Sequence, residues 1–214
     1  RLADCMSRQR MVQHGPTPGA HLALAPVAEY EQGHEFFRAH SQQFGPWFYS
    51  SSLLGRFDVP APKGTCYLAS NPGAAVREVL GDRLSQGRRI PISLTEGRVI
   101  SRMPLPAPVR SANVSHDDAF TLGITGELTS MPHYDVPQAW ASAFCAAGFD
   151  ALTYRPRFSP GDSLALALFG EAAEHQDPSG FECTLAQATT DLGLELFATD
   201  SRGLYTFATF TESD

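Results

Sequence analysis

Three side chains in the first half of the chain combine charge, aromaticity and spacing in a way that could do chemistry. Gly55-Arg56-Phe57-Asp58 is followed by Gly64-Thr65-Cys66-Tyr67-Leu68-Ala69, and then by Asn71-Pro72-Gly73-Ala74-Ala75-Val76-Arg77-Glu78. An arginine precedes an apolar run, a tyrosine lies within that run, and a glutamate sits on the segment after it. A guanidinium offers a planar fork to a phosphate or carboxylate. A tyrosine ring can pack against a flat ligand, and a fixed carboxylate stabilises a centre that becomes cationic. The same spacing is also met by an exposed helix glutamate and a half-buried strand tyrosine with no ligand between them.

The elements that must position these groups follow from composition. Thr65–Ala69 has strand-like content. It runs into Ser70-Asn71-Pro72, a capping side chain followed by proline in a first helical turn. That pattern predicts a helix over Pro72–Leu80 ending at Gly81. At 100° per residue, Glu78 falls between Ala74 and Ala75, two small side chains that leave room beside the carboxylate. Val99–Met103 reads as a strand closed by Pro104, Pro106 and Pro108. Asp135 is placed to cap a helix running through Trp140, Phe144 and Cys145 to Gly148. Ala151–Tyr154 and Ser163–Phe169 read as two more strands. Residues 1–34, rich in Gly, Pro and His, read as an N-terminal extension with one short helix, and 35–214 as the domain body. Helices and strands mix without βα alternation, which indicates an α+β fold.

Composition bounds the function. The chain has 214 residues, a formal net charge of −7 and 43% hydrophobic residues, enough for one sizeable core and too apolar for disorder. The acidic balance speaks against direct nucleic-acid binding. Lys63 is the single lysine, so nearly all positive charge is guanidinium. Cys5, Cys66, Cys145 and Cys183 form no CxxC pair, and Cys66 and Cys145 read as buried small side chains in a reducing compartment. GxxxxGK[ST], GxGxxG, GxSxG and HExxH are all absent, and the seven histidines lack metal-ligand spacing, so no metal is expected. No stretch approaches a membrane span, and Arg1–Gln13 lacks the apolar core expected of a signal peptide. A start other than Met leads to the expectation of a trimmed chain or a piece of a longer protein.

The motifs resemble the RES domain family, which supplies the toxins of RES–Xre toxin–antitoxin systems. Phe37-Arg38-Ala39-His40 is similar to its opening aromatic-Arg element, and Gly55–Asp58 to its GRF/GRW turn. Gly64–Glu78 is similar to its GT-x-YLA block. Tyr134, Trp140-Ala141 and Gly148–Ala151 resemble its tyrosine, tryptophan-bearing helix and following turn, and Tyr154–Phe169 its closing strand pair. The likeness covers about residues 35–170 in the family's order.

The resemblance implies a single domain of ADP-ribosyltransferase-like form, with split β-sheets and flanking helices around an NAD cleft. It implies that NAD is a substrate whose nicotinamide–ribose bond is cut, by glycohydrolase- or phosphorylase-like chemistry or by ADP-ribosyl transfer to a protein. Arg56, Tyr67 and Glu78 carry the catalytic roles, and Arg38, Arg56, Tyr67, Arg157 and Ser159 the NAD contacts. A cytoplasmic location and an Xre-like antitoxin partner follow, with no membrane and no direct nucleic-acid contact. One departure stands out: where the family's Y-x-SR element has serine, Tyr154-Arg155-Pro156-Arg157 has proline, which offers no hydroxyl and no N–H. Ser159, or a charge on Arg155 or Arg157, is the candidate replacement. The alternative is a catalytically weak or inactive RES-fold binding module.

Overall fold

A computed structural model describes residues 12–19 and 21–198. Ten strands occur in this span: β1 Val27–Tyr30, β2 Glu35–Ser41, β3 Lys63–Ala69, β4 Arg89–Pro91, β5 Arg98–Pro104, β6 Val109–Asn113, β7 Ala151–Tyr154, β8 Ala165–Glu171, β9 Gly180–Thr184 and β10 Glu195–Phe197. Three α-helices accompany them: α1 Pro72–Leu80, α2 Asp135–Ala146 and α3 Leu185–Asp191. Eight strands form one sheet in the order β1-β6-β7-β8-β3-β2-β5-β9, and β10 pairs with β4 apart from it. Within the large sheet only β6 and β7 run parallel. The architecture is a single α+β domain.

The sheet is nearly two sheets. β3 pairs with β8 along its full length, and β2 pairs with β5 from Glu35↔Pro104 to Ser41↔Arg98. Between β2 and β3 the register has one partnership, Phe37↔Ala69. Beyond that pair the strands part, leaving a five-stranded half and a three-stranded half joined at one point.

Each half has its own cover. Trp140, Phe144 and Phe149 pack with Phe57, Leu152 and Tyr154 on one face of the five-stranded half. Trp47, Tyr49 and Phe36 fill its other face against Cys66, Leu68, Leu166 and Leu168. α1 and α3 close the three-stranded half through Val76, Leu80, Ile100 and Leu185. Full burial of a side chain the size of Trp140 or Phe144 contributes about 2–3 kcal/mol by area, so α2 is held by packing more than by helix propensity.

Several local expectations meet corrections here. The 1–34 segment includes the short 3-10 helix Leu22–Leu24, but it also adds β1 to the sheet edge, antiparallel to β6. Its Gln13 is buried and bonds the 123–125 segment, and the Trp140 indole donates to the His14 carbonyl at 2.8 Å. Asp135 does not cap α2: Tyr134 is the cap position, with no side-chain bond, and Asp135 is the first helical residue. β8 starts at Ala165 rather than Ser163: just before it the Leu164 N–H goes to the Ser70 hydroxyl instead of a strand carbonyl. Cys66 is buried as expected, whereas Cys145 is only half-buried; Cys5 lies outside the described residues.

Candidate functional site

The parting of β2 from β3 opens a cavity of about 360 Å³, within the range of small-molecule pockets. Arg38 and Ala39 border it from β2, and Tyr67 and Leu68 from β3. Ala75, Glu78 and Val79 of α1 close one side, and Arg56, Tyr134, Tyr154, Arg157 and Phe158 arrive from loops and from the end of β7. Arg56, Tyr67 and Glu78, carried by a turn, a strand and a helix, therefore meet at one cleft.

Arg56 is delivered by a turn folded around Asp58. The Asp58 carboxylate, 1% exposed, accepts from the Gly55 N–H at 3.0 Å and from the Tyr67 hydroxyl at 2.8 Å. Tyr67 Oη in turn accepts from the Phe57 N–H at 2.8 Å. Thr65 Oγ1 donates to the Phe57 carbonyl at 3.0 Å and accepts from the Val59 N–H at 3.2 Å. Any Cβ at position 55 would stand 2.4 Å from Asp58 Oδ1 and 2.6 Å from Tyr67 Oη, so the turn requires glycine. The Arg56 guanidinium donates to the Met131 carbonyl and lies 4.8 Å over the Tyr134 ring, a cation–π contact.

Glu78 is delivered by α1. The Asn71 side chain accepts from the Ala74 N–H at 2.8 Å, with proline at the helix start as the sequence predicts. Glu78 then faces the cleft beside Ala75. Its carboxylate accepts from the Phe158 N–H at 3.1 Å. Burial pushes the Glu78 carboxyl above its ordinary value; the Phe158 N–H and the guanidinium groups of Arg56, Arg77 and Arg157 oppose that shift. The result is a partly desolvated carboxylate surrounded by positive charge.

The remaining expected contacts divide. Arg157 borders the cleft, exposed, with its guanidinium 5.2 Å over the Phe158 ring. Arg38 borders the cleft too, but its Nη1 donates to the carbonyls of Pro46 and Phe48 and contacts Cys66 Sγ, which ties it to the wall. Ser159 does not line the cleft: it is 3% exposed and accepts from Arg77 Nε at 3.2 Å. Arg155 faces a separate cavity with His116 and Thr125. Tyr67 presents its ring, because its hydroxyl is used by Asp58 and Phe57. Asp58, Tyr134, Tyr154 and Phe158 were not singled out from spacing; Asp58 stood in the quoted turn, Tyr134 and Tyr154 in the motifs of the resemblance, and Phe158 carried no signal of its own. Among the described residues no group of three or more His, Cys, Asp or Glu side chains is arranged to hold a metal ion.

The RES domain family model matches residues 35–187, well over half of the chain. The chain belongs to the RES domain family. The RES match begins two residues before the aromatic-Arg element, at the start of β2, and runs into α3. A search of the curated proteins finds no match. Three chains of solved structures match, including one from the crystal structure of the M. tuberculosis MbcT–MbcA toxin–antitoxin complex. That chain is similar at 13% identity with a TM-score of 0.56, over 77% of this chain and 90% of its own. At that identity the likeness establishes the shared RES fold, with its mixed sheet and flanking helices.

Proposed function

We propose that this RES domain is the toxin of a toxin–antitoxin system and that it consumes NAD by cutting the nicotinamide–ribose bond. The observation that carries the reading is the meeting of Arg56, the Tyr67 ring and a partly desolvated Glu78 at the opening between the sheet halves. In this reaction the bond from ribose C1′ to the nicotinamide nitrogen breaks. Its electron pair leaves with the ring, which departs neutral, and C1′ becomes an oxocarbenium-like cation. Glu78 holds a ribose hydroxyl and stabilises that cation, as carboxylates do in glycosidases. Arg56 and Arg157 bind the pyrophosphate through charge-assisted bonds. The Tyr67 ring packs on the nicotinamide or the ribose beside it. Water, phosphate or a protein side chain then adds to C1′ through oxygen or nitrogen and gives up its proton to solvent.

Arg38 contributes through the β2 wall. Ser159 orders Arg77 instead of touching NAD, which revises its expected role. An Xre-like antitoxin is the proposed partner and the cytoplasm the proposed location, in keeping with a bacterial toxin–antitoxin pair like the one the structural neighbour comes from. No helix among the described residues is long and apolar enough to cross a membrane. Incubation of the pure protein with NAD, followed by nicotinamide release, tests the activity. Release well above a Glu78→Ala control is expected, and equal release in both removes the enzymatic reading. Mass spectrometry of the products then separates ADP-ribose, its phosphorylated form and a modified protein. A second reading, a RES-fold binding module, is favoured by the buried Pro156 in place of the family serine. NAD binding by calorimetry without turnover would select it.

A further inference from the structure

Nearly every buried polar side chain at the cleft has a partner within the protein. Tyr67 Oη has Asp58 and the Phe57 N–H, Glu78 has the Phe158 N–H, and Arg56 has the Met131 carbonyl. Among the described residues two cleft tyrosines have hydroxyls without such a partner, the half-buried Tyr134 and the buried Tyr154, and the more deeply packed of the two is Tyr154. It ends β7, is 6% exposed, and its ring packs edge-on against Phe57 at 4.8 Å. Among the described residues its hydroxyl has no hydrogen-bond partner. No side-chain polar atom there is both sealed from solvent and unpartnered, so the Tyr154 hydroxyl opens into the cleft that its residue lines. Phenylalanine would bury the same ring, so packing does not account for the oxygen. The nearest serine on the same segment, Ser159, is committed to Arg77.

Resting on the NAD reading above, we propose that Tyr154 is a substrate-contacting residue whose hydroxyl donates a hydrogen bond to a ribose oxygen held against Glu78. Both side chains line the same cavity and no hydrogen bond joins them, so the phenol and the carboxylate are both left to a ligand held there. The ribose hydroxyl donates to the Glu78 carboxylate and accepts from the phenol, so each group uses its own polarity. Burial, and then the Glu78 carboxylate, push the Tyr154 phenol far above its ordinary value, with Arg56 opposing. It therefore stays a neutral donor across the physiological range. Tyr67, with its hydroxyl turned to Asp58, serves the ring; Tyr154 serves the sugar.

The test compares Tyr154→Phe with Tyr67→Phe in the full chain, reading nicotinamide release and thermal melting together. Tyr154→Phe is expected to lower kcat/KM about tenfold without lowering Tm, because its hydroxyl bonds nothing in the free protein. Tyr67→Phe is expected to lower Tm, because it breaks two internal bonds. NAD analogues lacking the 2′- or 3′-hydroxyl of the nicotinamide ribose supply the second readout: for one of them, parent and Tyr154→Phe should turn over equally. A Tyr154→Phe protein that matches the parent on NAD overturns the proposal, as does an activity loss that follows a fall in Tm. So does a tenfold deficit that persists on both analogues. If the parent releases no nicotinamide above Glu78→Ala, the NAD reading itself falls and this proposal with it.

Discussion

The Gly55–Asp58 turn and the Arg155–Ser159 loop each carry an arginine to the same cleft, but they are held by bonds of different reach. The turn is held mainly by near neighbours, Asp58 to Gly55 three residues away, Thr65 to Phe57 eight away and Tyr67 to Asp58 nine away, with two long ties added where Gln138 donates to the Gly55 carbonyl and Arg56 to that of Met131. The loop is bound to α1, with Phe158 reaching Glu78 across 80 residues of sequence and Arg77 reaching Ser159 across 82. A turn bonded mainly to near neighbours carries most of its geometry in its own sequence. A loop anchored across the fold takes its geometry from whatever α1 presents. The serine expected at 156 and its substitute at 159 fell in the second kind of segment, which is why Ser159 turned out to order Arg77.

Breaking the local network should have the largest effect. Asp58→Ala leaves the Tyr67 hydroxyl and the Gly55 N–H without an acceptor in a buried place. A loss of about 3 kcal/mol is expected, seen as a Tm lower by roughly 6–12 °C for a chain of this size. Nicotinamide release should fall with it as Arg56 loses its support. A Tm within a degree of the parent would show that the turn does not depend on its carboxylate.

Glu78→Gln sharpens the contrast, because the amide oxygen still accepts from Phe158 and the loop stays anchored. Turnover should drop ~100-fold, the scale of one preorganised charge, while melting at neutral pH is unchanged or raised. The sign follows from the raised folded-state value of Glu78. Its carboxyl binds protons more tightly folded than unfolded, so ionising it costs stability as pH rises from its ordinary value of 4.5 through the raised one. Below 4.5 both states are protonated, and any stability advantage of Glu78→Gln should vanish. Activity should fall on the acid side at a pH above 4.5, which a rate–pH profile checks.

The two arginines of the loop can be separated next. Arg157→Ala should raise the KM for NAD about tenfold, by removing a charge-assisted contact. Arg155→Ala should leave KM alone, since Arg155 faces the other cavity. Equal effects from the two would mean the loop is arranged differently with ligand bound. The smallest effect belongs to Ser159→Ala, a loss of about 1 kcal/mol in stability from one removed hydrogen bond, with KM unmoved. A sharp loss of activity at unchanged Tm would return Ser159 to the ligand.

Helix α1 was legible in full because its signals are local: Asn71 caps, Pro72 opens, Gly81 closes, and the alanines beside Glu78 follow from the helical period. β7 was legible from end to end because Ala151–Tyr154 is short and apolar. β6 was not. Its Val109-Arg110-Ser111-Ala112-Asn113 shows no alternation, and it is buried by pairing β1 on one side and, in parallel, β7 on the other. Ser111 is tolerated there because its oxygen accepts from Thr153 Oγ1 at 2.8 Å, and Tyr30 bonds Thr153 at 3.1 Å, partners that lie far off in sequence. β2 escaped for a similar reason, since Glu35–Ser41 is half-buried on both faces and has no period to read.

By itself the sequence determined the class of fold, from its mixture of helix and strand signals, and the family, from ordered motifs over about residues 35–170, while the turn, strand and capping chemistry that places Arg56, Tyr67 and Glu78 lies within some twenty residues. Only the tertiary structure decided which atom of each group is free. Tyr67 keeps its ring and surrenders its hydroxyl to Asp58, Arg38 is tied to the wall, Ser159 is turned to Arg77, and Tyr154 is left with an open hydroxyl. A buried donor or acceptor takes whatever partner the chain brings within about 3 Å. That partner is chosen where β2 leaves β3 and α1 meets the 155–159 loop, across separations that no local pattern records.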